Sequence, residues 1–291
     1  MNTKYKGPLL IALTAIMWSS AGVMIKLVPW DAMSIVGLRS AFAAVVMMIY
    51  MRRPRITFTK PVVLGGVALS ATMTFFILAN KLTTAANAIV LQYTQPIFVI
   101  LMSAMVLRTR PKGLDIGAVC IVFAGITLFF FDQLKPDAML GNLMAIIAGF
   151  SFAVVFIVNK LPGAQPEQSI LLAYLINTVM GIPFIIMNVT WEAVPWLAVA
   201  GMGILQLGIP YLLFGIAIRI TSPVTASLIA ALEPLLNPIW VMLATGEKPG
   251  AFAVAGGAVV LVTIVVYNII SIRRSRAEAA LFEVKPTATT V

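Results

Sequence analysis

Residues 7–26 read GPLLIALTAIMWSSAGVMIK, and 134 positions later residues 141–160 read GNLMAIIAGFSFAVVFIVNK. Gly7 falls on Gly141, Trp18 on Phe152 and Lys26 on Lys160. Each stretch is an apolar run of about 20 residues, the length that crosses about 30 Å of hydrocarbon. A second correspondence runs at a shift of 138: QPIF (95–98) lies over EPLL (233–236), and Arg110-Pro111 lies over Lys248-Pro249. The chain repeats in two halves, so the number of membrane crossings per half decides how the halves are related.

The 291 residues are 61% hydrophobic and 10% charged, with mean hydropathy +1.03. A soluble domain carries about 25% charged residues, so this composition describes a polytopic membrane protein. Ten spans are expected: Pro8–Leu27, Ala32–Met51, Pro61–Asn80, Ala86–Val106, Gly113–Phe131, Leu140–Asn159, Gln168–Asn188, Pro195–Ile218, Pro223–Leu243 and Phe252–Ser271.

Charge supports this count, because cytoplasmic loops collect Lys and Arg. With the N-terminus inside, fifteen of the twenty basic residues fall on inner loops and ends, from Lys4 and Lys6 to Arg273, Arg274, Arg276 and Lys285. Lys26, Lys81, Lys135 and Lys248 fall outside, and Arg39 lies within a span. Both termini are expected in the cytoplasm of a multi-pass inner or plasma membrane protein. The net charge of +10 sits at loop edges, where it orients helices and meets anionic headgroups. The expected macromolecular partner is therefore the bilayer and not nucleic acid. Cys120, mid-span, reads as a small packing residue. The first span lacks a small-residue cleavage site and reads as retained; the basic tail after Ser271 reads as a mobile cytoplasmic end.

Five spans per half is an odd number, so the second copy enters the membrane from the opposite face. Inverted repeats of this kind build secondary transporters, with the substrate site near the midplane between the halves. The expected fold is an all-α integral membrane protein of ten transmembrane helices in two inverted five-helix repeats. Residues 1–136 form the first, 137–272 the second and 273–291 a cytoplasmic tail.

The chain resembles the EamA family of the drug/metabolite transporter superfamily over nearly its whole length. The resemblance rests on MWSSAGVMIK (17–26), on Leu38-Arg39, and above all on ALEPLLNPIWVMLATGEKP (231–249) followed by GGAVVLVTIVVY (256–267). It implies ten helices, two inverted repeats and passage of small metabolites, often outward. Two positions depart from the repeat: Gln95-Pro96 stands where the second half has Glu233-Pro234, and Thr109 stands where it has Glu247. The central space is thereby electrically asymmetric.

Proline within a helix withholds an N–H and frees the carbonyl four residues earlier. Pro234 frees that of Ala230 and Pro96 that of Gln92, again 138 apart, so the fourth and ninth spans are expected to kink around a central space. Pro210 does the same to the Gln206 carbonyl. Glu233 lies near the middle of its span, where a charge costs at least about 2.5–3.5 kcal/mol and marks a pathway or a partner. Helical stepping puts Ala226, Ala230, Glu233, Asn237 and Trp240 on one face. Glu233 is thus a candidate counter-ion for an ammonium group, a proton carrier, or a brace paired with Arg39. Arg39 itself reads as that brace, or as a ligand for a substrate carboxylate. Gln92 and Gln95, three apart beside Pro96, and Trp18 and Tyr211 complete the candidate substrate-binding or coupling set. Ser19, Asn87, Tyr93, Asn159, Tyr174, Asn177 and Gln206 are further polar candidates.

Histidine is absent, cysteine occurs once and no carboxylates cluster on one face, so metal and nucleophile chemistries lack their usual groups. No phosphate-cradling Gly-x-x-x-x-Gly-Lys-Ser/Thr loop is present either. No enzyme activity, cofactor or metal is expected. The expected function is alternating-access transport of a small metabolite, an amino acid or similar amine-bearing solute, by a monomer or homodimer. Protons are the candidate coupling ion, export the expected direction. A passive facilitator and a multidrug or cation exporter are the alternatives on the same fold.

Overall fold

The computed structural model describes residues 3–20, 24, 28–83, 85–131, 139–236, 240 and 250–283. Among these, α1 is Thr3–Trp18, α2 Ala32–Met51 and α3 Lys60–Leu82. The fourth span, α4, comprises two pieces, Ala85–Gln92 and Gln95–Met105. α5 is Gly113–Phe129, α6 Met139–Val158 and α7 Pro166–Asn188. α8 runs over Ala193–Ile220 with a π-helical segment at Met202–Gly208. α9 is Pro223–Leu236, interrupted at Ala231 by a turn that ends its first stretch, Pro223–Ala230, and α10 is Ala251–Glu283. Seven of these spans are long and apolar enough to cross a membrane, and α1, α5 and α9 are shorter apolar helices within the described residues.

Local chemistry sets the boundaries. The side chain of Asp31 caps α2, accepting from Met33 N at 2.9 Å and Ser34 N at 3.1 Å. Thr59 and Ser222 cap α3 and α9, and Pro61, Pro166 and Pro223 stand in first turns, where a missing N–H is harmless.

Packing follows an approximate two-fold relation. α3 lies along α6 in the way that α8 lies along α1, while the equivalent pairs α2 with α7 and α5 with α10 meet each other. Two glycines make the relation visible at atomic scale. Gly141 lies so close to Leu82 and Thr83 that a methyl group would come 2.7 Å from the Leu82 carbonyl carbon, and its counterpart Gly7 lies against Ile220 and Thr221. Residues 82 and 83 are themselves 138 positions before 220 and 221. α2 and α7 cross at Gly37 and Gly181, backbone on backbone: a methyl group on Gly181 would fall 2.5 Å from Gly37 Cα. Small residues at such crossings are how membrane helices gain dispersion contact without a hydrophobic driving force.

Two of the expected proline irregularities take a definite form, and two other expectations need correction. The fourth span is not continuous: it breaks at Tyr93-Thr94, ahead of Pro96. The third turn of irregularity expected at Pro210 takes the form of the π-helical segment just before it, a usual way to absorb a lost i-to-i−4 bond. The helix α10 continues to Glu283, through RRSRAEAALFE, whose Arg, Ala, Glu and Leu are strong helix formers, so the helix does not end at Ser271 where the tenth span was expected to stop. Cys120 is exposed, because α5 turns Val119, Val122 and Ile126 inward instead. Lys26, Pro238, Glu247, Lys248 and Pro249 lie outside the described residues.

Replacing Gly181 with Ala is expected to lower the stability of the detergent-purified protein by about 1–3 kcal/mol, the cost of overpacking a fixed contact, read as a drop in melting temperature. Gly117→Ala, where a methyl group meets nothing within 4 Å, is expected to melt like wild type. A second expectation concerns Asp31, just outside the membrane span. Burial pushes its carboxyl up, but hydrogen bonds from Ser34, Met33 and Asn188 outweigh this and hold it below 3.8. A depressed carboxylate stabilises the fold above its unfolded pKa and loses that contribution as pH falls through the folded one. Asp31→Ala should therefore cost about 1 kcal/mol at neutral pH, and the melting difference from wild type should close under acid.

Candidate functional site

The two residues that the repeat aligns, Trp18 and Phe152, touch each other, edge to face with ring centroids 5.8 Å apart. Residues related by a two-fold axis can meet only near that axis, so these rings mark the centre of the bundle. Around them stand Tyr211 at 4.8 Å and Phe214 at 5.6 Å from Trp18, with Tyr174 at 6.2 Å from Tyr211. The cluster draws on α1, α6, α7 and α8, and its members are all buried.

Polar atoms in this interior lack partners among the described residues. Trp18 Nε1 and Gln206 Oε1 have none, while Gln206 Nε2 donates to the Trp18 carbonyl at 3.4 Å. Tyr174 Oη donates to the Leu207 carbonyl at 3.1 Å, within the π-helical segment. Arg39 is 3% exposed, and its Nε lacks a partner. Its charge is felt by Tyr174 and Tyr211. Among the described residues it forms no ion pair; the Arg219–Glu167 bridge stands at the rim.

Glu233 is bonded otherwise than a brace to Arg39 requires. Tyr93 Oη lies 3.0 Å from Glu233 Oε2 and 2.8 Å from the carbonyl oxygen of Ala230. Ala230 is the residue whose carbonyl Pro234 was expected to free. In the other half the freed carbonyl is that of Gln92, and α6 presses against it: a methyl group on Gly149 would come 2.5 Å from Gln92 O. The break in α4 falls between Gln92 and Gln95, so they do not share an unbroken helical face. Both are buried, with Gln92 Oε1 and Gln95 Nε2 unpartnered. Pro96 and Pro234 are buried at the two breaks.

The remaining candidates scatter. Trp240, 37% exposed, donates from Nε1 to Ser19 Oγ at 2.7 Å. Asn177 accepts from Ser70 Oγ at 2.6 Å on the α3–α7 contact, and Asn159 donates to Val155 O at 2.8 Å; both serve helix packing. Asn237 and the side chain of Asn87 lie outside the described residues.

Tyr93 and Gln206 carry more than the sequence reading gave them. Their signal was a position beside a helix irregularity. Also unforeseen is a cleft of about 300 Å³ between the α4–α5 turn, the start of α9 and the middle of α10, lined by Arg110, Lys112, Asp115, Ser222 and Tyr267 among others. There Tyr267 Oη donates to Asp115 Oδ1 at 2.9 Å.

Comparison with known proteins agrees with this architecture. The chain is 27% identical over 284 residues to a protein of Archaeoglobus fulgidus named an uncharacterized transporter, covering 90% of this chain and 96% of that one. It is 25% identical over 311 residues to another so named from Clostridium kluyveri, covering 97% and 98%. A crystal structure, 19% identical, shares the fold with a TM-score of 0.78 over 90% of this chain and 97% of that chain. The model of the EamA-like transporter family matches twice, over residues 5–131 and 139–269, once on each five-helix repeat. This chain, a multi-pass membrane protein, belongs to the EamA-like transporter family.

Proposed function

We propose that the protein is a secondary transporter that moves a small amine-bearing solute, of the amino acid class, by alternating access between its two repeats. It works as an exporter in an inner or plasma membrane with both termini in the cytoplasm. The observation that carries the substrate class is a buried guanidinium in one half and an ionisable carboxyl in the other that are not spent on each other. Arg39 is buried and lacks a carboxylate within ion-pair distance among the described residues. A buried guanidinium without a counter-charge is costly, and a substrate carboxylate would offset that cost with a two-pronged hydrogen bond. Glu233 belongs to the opposite half and is bonded to Tyr93. Tyr211 is within electrostatic reach of both. A zwitterion bridging Arg39 and Glu233 would lie across the aromatic floor of Trp18 and Tyr211, with Gln92, Gln95 and Gln206 as further hydrogen-bonding groups.

The packing supports alternating access. The repeats touch through mirrored contacts at Gly7 and Gly141 and through crossings such as Gly37 on Gly181, and a rocking of one half on the other exchanges which end is open. Direction rests on the outward-moving habit of the family that the sequence resembles, and orientation rests on the basic inner loops.

The test is counterflow in liposomes holding purified protein, with labelled amino acids, their decarboxylated amines and their N-acetylated acids. Wild type should exchange the zwitterions best. Arg39→Lys keeps a charge and loses the planar fork; it should weaken amino acid exchange by roughly tenfold or more, the equivalent of about 1.4 kcal/mol, and should spare the decarboxylated amines. Equal exchange of all three classes by wild type would refute the assignment. Accumulation that never exceeds equilibrium under any imposed ion gradient would make the protein a facilitator.

A further inference from the structure

Tyr93 has one hydroxyl proton and stands against two acceptors, the Ala230 carbonyl oxygen at 2.8 Å and Glu233 Oε2 at 3.0 Å. A phenolic hydroxyl donates once and accepts through its lone pairs. The carbonyl requires that one proton, since the residue four places on is Pro234 and has no N–H to give. A buried carbonyl left without a donor is destabilising. An ionised Glu233 would compete for the same hydrogen and leave one acceptor facing a lone pair. A protonated Glu233 resolves the conflict: its O–H donates to Tyr93 Oη, and Tyr93 donates to Ala230 O. We infer that Glu233, Tyr93 and the Ala230 carbonyl form a proton-binding site that is loaded in this conformation, and that release of the proton uncaps the break in α9.

The bookkeeping of bonds is complete. The carboxyl O–H breaks, the proton leaves to water, and the electron pair stays on Glu233. The Tyr93 hydroxyl then turns to the carboxylate in a stronger, charge-assisted hydrogen bond, and the Ala230 carbonyl loses its donor at the one point where α9 has no i-to-i−4 bond. The α9 hinge is thereby sensitive to a proton.

Few other groups bear on the site. From α4 it is faced by Tyr93, and from α8 Tyr211 lies within electrostatic reach. Arg39 of α2 forms no ion pair with Glu233 among the described residues. α6 carries no titratable residue; Lys4, Tyr5 and Lys6 stand in the first turn of α1, Asp115 in the first turn of α5 with Tyr267 of α10 bonded to it, Cys120 of α5 is exposed, and Arg273, Arg274, Arg276, Glu278 and Glu283 of α10 lie beyond Ser271. The inference does not depend on the substrate proposed above, because it rests on hydrogen bonds of the solute-free protein; on that proposal the ammonium group of the solute meets Glu233 once the proton has left.

Infrared difference spectroscopy of the purified full-length protein in lipid, at neutral pH and without added solute, reads a protonated carboxyl directly from its C=O stretch. Wild type is expected to have such a band, Glu233→Gln to lose it, and Tyr93→Phe to keep it at a displaced frequency because its hydrogen-bond partner is gone. Melting gives a second readout. The glutamine amide can donate to Tyr93 as the protonated carboxyl does, so Glu233→Gln is expected to melt like wild type. A wild type in which residue 233 contributes only carboxylate bands, a band that Tyr93→Phe leaves in place, or a Glu233→Gln protein that no longer folds would each overturn the inference. None of these readings depends on counterflow, so failure of the substrate assignment and failure of the proton site are told apart.

Discussion

A hydrocarbon slab gives no hydrogen bonds, and every backbone carbonyl freed within it must find a donor inside the protein. The contact of Tyr93 with Ala230 meets that demand across the two halves. α9 is broken because Pro234 lacks an N–H, and the hydroxyl that answers the break comes from the break in α4. One irregularity supplies the donor that the other needs. The two broken helices are thereby held at the centre of the bundle, and Glu233 is held with them.

The approximate two-fold relation explains why the centre lies there. Trp18 and Phe152 are counterparts in the repeat and are also in ring contact, which places them beside the axis. Gly37 and Gly181 bring α2 and α7 together in the same manner. Strict symmetry, however, would give a non-polar or doubly charged centre. The chain departs from it by placing Gln95 opposite Glu233 and by keeping a single Arg39 on one side. The Gln92 carbonyl meets Gly149 and the Ala230 carbonyl meets Tyr93, so the two breaks share an origin and differ in how they are satisfied. That asymmetry gives a solute two distinguishable ends to address.

Stability and function draw on different residues in this arrangement. The glycine crossings, the Asp31 cap and the Asn177 bond to Ser70 fasten helices. Trp18, Arg39, Gln92, Gln95 and Gln206 instead retain buried polar atoms that no other side chain in the described protein satisfies. Native proteins seldom leave such atoms unmatched, and two of them, Trp18 Nε1 and Gln206 Oε1, belong to residues bonded to each other at the aromatic cluster, which supports the ligand position proposed above.

The sequence by itself determined the membrane class, ten spans, the inversion of the halves and the two proline breaks. Each of these follows from composition, from periodicity over about 20 residues, or from the missing N–H of a single residue type, none of which depends on distant contacts. It also singled out Glu233 and Arg39, because an ionisable residue at mid-span stands out from apolar neighbours. What Glu233 touches was settled only in three dimensions. A carboxylate and a guanidinium in one sequence invite pairing, yet Arg39 forms no ion pair among the described residues, while α4 brings Tyr93 to Glu233 from 140 residues away. The same holds for the exposed face of Cys120, the π-helical turn ahead of Pro210 and the helical course of α10 to Glu283. These depend on which neighbour each helix meets, and helix rotation about its own axis is fixed by packing against partners far away in the chain.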